Sequence, residues 1–304
     1  MFNLWKDHHR NHPVRSGLIN RLVNRLVLRL GNRVTALLFP LKCLKCHRFI
    51  VPSARCVVPG KFFDADTAFC DPVFVDREAL ETGLSCFFCE NCMAQGIVLF
   101  EPPFCTKCGK KLNATRNNAS LCETCLTSRS PIGRVRAFAL YQGVVREGIH
   151  LLKYNKKLQL AAFFQPLLFA AFETYFAEDS VDLVLPVPLH RSKLRQRGFN
   201  QSFVLIQGFA GIWKRRHHRS PPWKIDPGIL VRSRQTRSQT GFDRKERRKN
   251  IKNAFQVRVP EKVNRRRILL VDDVYTTGAT AEEAAGELSA AGAASVDVLV
   301  LARA

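Results

Sequence analysis

Residues 268–280, ILLVDDVYTTGAT, set the tightest limit on how this chain can fold. Four apolar residues run straight into two adjacent aspartates, and a turn rich in threonine and glycine follows. A short continuous run of Ile, Leu and Val suits a strand buried on both faces, as in a parallel sheet. Residues 281–290 are rich in Ala, Glu and Leu and read as a helix. Strand, acidic pair, small-residue turn and helix, in that order, place the chemistry at the carboxyl end of a strand. Open α/β sheets bind their ligands there.

The residue types say what such a turn can hold. Gly278 permits positive φ and close backbone approach. Consecutive N–H groups of Thr276, Thr277, Gly278, Ala279 and Thr280 can wrap a phosphate. The threonine hydroxyls add donors and the helix N-terminus adds positive potential. Asp272 and Asp273 would repel a phosphate. As a catalytic pair they suit the vicinal hydroxyls of a ribose, or a Mg²⁺ ion that offsets pyrophosphate charge. Phosphate donors beside diol acceptors spell a ribose 5-phosphate site. Adjacent aspartates alone would favour the plainer reading, a buried strand ending in an acidic helix cap. The whole pattern favours the sugar-phosphate site.

Cysteine supplies the second constraint. All eleven cysteines fall between Cys43 and Cys125 of the 304 residues, which marks a separate module. Cys105-x2-Cys108 and Cys122-x2-Cys125 form two knuckles separated by thirteen residues. Each such turn offers two thiolates to a tetrahedral Zn²⁺. A second site pairs Cys43 and Cys46 with a later knuckle, where Cys86, Cys89 and Cys92 follow at three-residue steps. Cys89 and Cys92 are preferred because they sit nearest the second ribbon, which leaves Cys56, Cys70 and Cys86 over. Complete four-cysteine sets have no open coordination position, so the module is structural or an interaction surface. A disulfide reading needs an oxidising compartment.

The chain also lacks a short apolar stretch with a small-residue cleavage site, so no secretory signal is expected and the expected location is cytoplasmic. No run of eighteen uncharged apolar residues marks a membrane span. The formal charge is +23, which predicts attraction to polyanions: nucleic acid, an anionic membrane or phosphorylated substrates. Residues 1–40 form a basic leader in which Leu18, Ile19, Leu22, Val23, Leu26, Val27 and Leu30 recur at helical spacing. Arg21, Arg25, Arg29 and Arg33 stack on another face. Such a basic amphipathic helix lies on a membrane, docks a protein partner, or packs on its own domain. Its Arg-rich, acid-poor start also mimics an organellar transit peptide, which nothing else supports.

Three units are therefore expected: the leader, a double zinc-ribbon module over 41–130 with an insertion at about 48–85, and an α/β domain over 131–304. In the last, residues 136–141 read as a strand, and 144–154 and 158–176 as helices whose aromatic residues are core. Residues 181–189, VDLVLPVPL, read as a buried strand that its prolines terminate. Residues 295–301 complete a sheet of about five strands. Arg195 and Arg197, in the basic segment after the second strand, face a pyrophosphate if that loop meets the acidic one. Residues 232–252 are densely basic with a polar, Ser/Thr/Gln-rich start, the chemistry of a mobile loop that closes over a pyrophosphate or binds a nucleic-acid backbone.

The cysteine ribbon, PVPLHRSKLRQRGFNQ, and RQTRSQTGFDRKERRKNIKNAF ahead of ILLVDDVYTTGAT together resemble the ComF family, also called ComFC or GntX-type. The resemblance implies a zinc ribbon ahead of a type I phosphoribosyltransferase-like domain, with a mostly parallel sheet flanked by helices. It implies a site for 5-phosphoribosyl-1-pyrophosphate (PRPP), a tail at residues 197–201, and a loop carrying Arg234, Thr236, Gln239, Arg247 and Asn250. It also implies a link to natural competence and to handling of transforming single-stranded DNA. The basic leader, the long insertion after Cys46 and the extra cysteines depart from the family pattern.

Overall fold

The computed structural model describes residues 41–50, 83–94, 96–112, 120–176, 181–236 and 243–304. The leader, most of the insertion and Gln239 lie outside the described residues. The architecture is α/β. Strands β1 (Val135–Leu140), β2 (Leu183–Pro186), β3 (Lys224–Ile225), β6 (Arg267–Tyr275) and β7 (Ser295–Arg303) form one sheet in the order β1-β7-β6-β2-β3. Every neighbouring pair in it is parallel. Strands β4 (Leu230–Arg232) and β5 (Phe255–Val257) pair separately as an antiparallel ribbon.

The continuous apolar runs of β6 and β7 follow from burial on both sides. Leu269, Val271, Leu299 and Leu301 point into one core layer. Ile268, Leu270, Val298 and Val300 point into the other, as the two-residue period of a strand requires. β2 is shorter than its sequence suggests. Pro186 ends it, and Val187 makes one last hydrogen bond, donating to the Val271 carbonyl at 2.8 Å.

Ten helices cover the two faces or border the cysteine turns among the described residues. α1 (Glu90–Met93) and α2 (Glu123–Thr127) are single turns in the cysteine-rich part. The first core layer is filled by α3 (Gly143–Asn155), α4 (Gln159–Tyr175), α6 (Gln201–Ile206) and α7 (Phe209–His217). α4 is apolar nearly all round and packs its aromatic rings in the core. Phe172 meets Trp223 edge-on at 5.5 Å, and Trp213 meets Trp223 at 5.8 Å. Leu84, Phe87 and Phe88 belong to the same cluster, so the cysteine-rich segment shares this core. α10 (Ala279–Ala290) packs Ala284, Ala285 and Leu288 against the second layer. α5 (Arg191–Arg197) and α8 (Arg244–Ile251) lie in segments whose sequence reads as loop, and α9 (Pro260–Val263) is a single turn before β6. No helix among the described residues is long and apolar enough to cross a membrane.

Phe172 is fully buried against Phe169, Phe176, Phe209 and Trp223. Phe172→Ala is expected to cost about 3–5 kcal/mol. A urea titration followed by tryptophan fluorescence checks this, with a lower midpoint and an unchanged slope.

Candidate functional site at the carboxyl end of the sheet

β6 continues through both aspartates to Tyr275, and its neighbour β7 runs beside it to Arg303. The acidic pair thus belongs to a backbone pinned in the sheet's centre. The chain then turns through Thr276 and Thr277 to Gly278, whose φ of 84° is left-handed. α10 starts at Ala279, two residues earlier than its composition suggests. Its ladder opens with Glu282 N–H donating to the Gly278 carbonyl at 2.8 Å. The amides of Gly278, Ala279 and Ala281 therefore precede the ladder, as in any first helical turn. Gly278 is also sterically required: a Cβ there would stand 2.3 Å from the Tyr275 hydroxyl oxygen.

A cavity of about 730 Å³ opens over this turn. Asp272, Asp273, Thr276, Thr277, Gly278, Ala279 and Thr280 line it, together with Arg197 and Arg247. It also collects Lys153 from α3, Lys193 from α5 and Arg232 from β4. Arg195 does not reach it. That side chain is exposed on the far side of α5 and Lys193 occupies the lining position instead. The reason is helical: residues 193 and 197 are four apart and share a face, whereas 195 lies between them on the other.

Asp273 is buried and forms an ion pair with Lys153, its Oδ2 accepting from the ammonium. Burial pushes the Asp273 carboxyl up, and the Lys153 charge and hydrogen bond outweigh that, so the net direction is down. Burial alone would lower Lys153; Asp273 reverses it. Asp272 accepts from the Ser202 hydroxyl at 2.8 Å and from the Asp273 amide at 2.9 Å. Enclosure and the neighbouring Asp273 carboxylate push Asp272 up to about 7. The adjacent carboxylates thus have different environments, one held ionised by an ammonium and the other raised.

The segment around RGFNQ builds the wall that delivers Ser202. Gly198 closes α5 with a φ of 88°. Asn200 then caps α6, accepting from Ser202 N–H at 3.0 Å while its Nδ2 donates to the Val187 carbonyl at 3.1 Å. Arg197 donates to Gln201 across the joint.

The basic stretch expected as a mobile loop is ordered over its described residues. α8 carries a reciprocal cap: Glu246 N–H donates to Asp243 at 2.7 Å, and Asp243 N–H donates to Glu246 at 2.9 Å. Arg248 reaches Glu282 of α10 at 2.8 Å. Arg247 donates to the Thr276 hydroxyl at 2.9 Å, so α8 leans on the turn after β6 itself. Arg234 lies off the cavity lining and clamps the stretch, donating to the carbonyls of Asn250 at 2.8 Å and Lys252 at 2.5 Å. Thr236 is buried and accepts from Arg232.

The cysteines gather as two quartets: Cys43, Cys46, Cys89 and Cys92, and Cys105, Cys108, Cys122 and Cys125. In each, the four sulfurs lie within 4.8 Å of one another. Cys46 Sγ and Cys89 Sγ stand 3.6 Å apart, as do Cys108 Sγ and Cys122 Sγ. Tetrahedral zinc with Zn–S of about 2.3 Å places its sulfurs about 3.8 Å apart, so both quartets fit the ion. Burial pushes the Cys43, Cys92 and Cys105 thiols up. Main-chain N–H bonds bring Cys43 down to about 6 and Cys105 down to about 7, while neighbouring thiols help hold Cys92 up at about 12. Four thiolates coexist in such a set only around a cation. Cys86 is buried in the core, outside both quartets. The second quartet touches the turn after β6 from behind: Arg303 Nε donates to the Cys108 carbonyl at 3.0 Å, and its guanidinium lies 5.4 Å from the Tyr275 ring centroid.

Curated relatives are similar to this chain over most of their length. DNA utilization protein YhgH of Escherichia coli is 35% identical over 204 residues, covering 66% of this chain and 83% of that protein. The Salmonella typhimurium YhgH is 33% identical over 72% of this chain and 89% of its own. Competence protein F of Haemophilus influenzae is 30% identical over 71% and 90%. The chain belongs to the ComF family. No protein-family model matches it.

In this ComF chain, Lys153 is the cavity cation that sequence reasoning misses outright, while Lys193 and Arg232 fall in segments read as basic without being singled out. Lys193 follows from i,i+4 spacing once residues 191–197 are taken as a helix. Lys153 carries no local signal, because its partner Asp273 lies far away along the chain. One consequence is testable by pH. Asp272 is raised in the folded state to about 7, whereas an unfolded Asp titrates near 3.9. Its contribution to stability is present below the unfolded value and lost as pH rises to about 7. Asp272→Asn removes that loss. Its melting temperature relative to the parent should climb between about pH 4 and pH 7 and level off above. A difference independent of pH contradicts the assignment.

Proposed function

We propose that this ComF protein binds a 5-phosphoribosyl group, with PRPP as the ligand that fills the cavity. The observation that carries the reading is convergence: a turn of main-chain amides, a diacid and a ring of cations line one cavity at a strand's carboxyl end. The turn at Thr276, Thr277, Gly278, Ala279 and Thr280 takes the 5-phosphate. Asp272 and Asp273 take the ribose hydroxyls, the diol displacing or sharing the Lys153 ammonium. Lys193, Arg197 and Arg232 take the pyrophosphate together with Mg²⁺, for which the diacid and the pyrophosphate are oxygen donors of the right kind. Arg232 supports an anion directly. It is mostly enclosed, its Nε has no hydrogen-bond partner, and burial lowers its pKa. An anion there would give Nε a partner and offset the cost of burying the charge. Transfer of the phosphoribosyl group to an acceptor with release of pyrophosphate is the reaction this arrangement suits. The diacid would stabilise positive charge growing on the sugar ring.

A second reading draws on the printed names of the relatives, DNA utilization protein and Competence protein F, and on the net charge of +23. Under it the protein handles single-stranded DNA on its basic surface. Lys214, Arg215 and Arg219 are exposed there, while Arg216 and His217 are tied to Glu173 at 3.2 and 2.8 Å. The two readings coexist, since a site for a phosphoribosyl group also admits a nucleic-acid sugar phosphate.

Calorimetry with Mg²⁺ and PRPP tests the first. Replacing both carboxylates, Asp272→Asn with Asp273→Asn, should weaken binding at least about tenfold, the weight of hydrogen bonds to charged groups. A melting curve establishes that the variant is folded. Unchanged affinity in a folded variant rules the assignment out.

A further inference from the structure

The cavity's rim carries a group for which the phosphoribosyl reading has no use. Tyr154, near the end of α3, lines the cavity yet is 60% exposed. His150, one turn earlier on the same helix, also lines the cavity, and its ring centroid lies 4.7 Å from that of Tyr154 at a tilt of 44°. From α5, the Arg197 guanidinium stands 5.8 Å from the same ring centroid. The phenol is thus steered from two sides and still left open. Among the described residues five large apolar side chains are exposed. Three of them, Tyr154, Leu158 and Leu194, sit on α5 or at and just after the end of α3, the two helices at this rim. Buried aromatic side chains elsewhere in this fold are core, and Tyr154 is not among them.

We propose that Tyr154, flanked by His150, is a stacking shelf for a nucleobase. The cavity then takes a whole 5'-phosphorylated nucleotide unit, with its phosphate in the Thr276–Thr280 turn. This assignment rests on the phosphoribosyl reading of that turn. Tyr154 is the chain neighbour of Lys153, whose ammonium pairs with Asp273. The shelf and the carboxylate assigned to the sugar diol thus line one cavity. In a nucleotide the base is joined to the carbon next to that diol, so a ligand whose diol meets the acidic pair needs a flat partner in the same cavity. An open phenol beside an imidazole and a guanidinium offers the sequence-tolerant π surface on which bases stack. The cavity of about 730 Å³ lies well inside the range of about 300–1,000 Å³ used by ligands of nucleotide size. The same unit arrives either as a free nucleoside monophosphate or as the 5'-phosphorylated end of a single strand.

Titration calorimetry on the full-length protein separates these ideas, with ribose 5-phosphate and adenosine 5'-monophosphate as probes. The monophosphate should bind roughly tenfold or more tighter, the weight of one base–aromatic stack. Tyr154→Ala should bring it down to the level of ribose 5-phosphate and leave ribose 5-phosphate unchanged, and Tyr154→Phe should restore the difference. Equal affinity of the two probes for the parent, or equal weakening of both by Tyr154→Ala, overturns the shelf and leaves the phosphoribosyl site standing. Failure of both probes to bind overturns both. Competition of the monophosphate by single-stranded oligonucleotides identifies the source. Displacement only by the 5'-phosphorylated strand assigns strand ends, and displacement by neither strand assigns free nucleotides. Equal displacement by 5'-phosphorylated and 5'-hydroxyl strands overturns the proposal, because the phosphate is then not read.

Discussion

The ion pair between Lys153 and Asp273 holds the site together. Two adjacent carboxylates at the end of a central strand cannot both be charged in an enclosed position without a cation. Lys153 supplies it, and in doing so fixes α3 against β6. A buried pair is a poor source of net stability, since the desolvation of both ions offsets their attraction. Its value is in specification: removing either partner leaves an unpaired charge in the interior. With Lys153 pinned, the end of α3 is pinned too, and Tyr154 and His150 are set at the rim. Ser202 completes the arrangement from the other side by fixing the carboxylate that the lysine does not touch.

The fold around this pair is a parallel sheet buried on both faces, and each layer brings a different part of the site. The aromatic layer carries α3 and α6, hence Lys153 and Ser202. The other layer carries α10, which provides the helix start beneath the Thr276–Gly278 turn. The second cysteine quartet meets the turn from behind through Arg303 and Tyr275, and the Tyr275 hydroxyl lies against Gly278. A metal in that quartet would therefore hold more than the ribbon. It would brace the wall on which the turn rests.

How much of this was legible depended on how local the signal was. The strand, the turn and Gly278 were readable because a continuous apolar run and a required positive φ are local properties. The cysteine quartets were readable because knuckle spacing is itself the ligand geometry. The helical character of residues 191–197 and 244–251 was hidden by charge. Their arginines and lysines look like a loop, yet these residues have good helix propensity and Asp243 with Glu246 supplies a cap. Missing α5 misplaced the cation there, Arg195 for Lys193. Lys153 was invisible for a different reason. Its role comes from a partner on a distant strand, and no window of sequence contains both ends. Arg234 carried a loop motif in the sequence and turned out to be a clamp on two carbonyls.

One cavity, on this reading, grips a sugar phosphate by main-chain amides and its diol by the acidic pair. A crystal structure of the protein soaked with ribose 5-phosphate puts that to the test. Phosphate density is expected within hydrogen-bond distance of the amides at Gly278 and Ala279, with the ribose hydroxyls on Asp272 and Asp273 and the Lys153 ammonium shifted from its partner. Phosphate density seated elsewhere, with the Lys153–Asp273 pair intact and no sugar beside it, would contradict it.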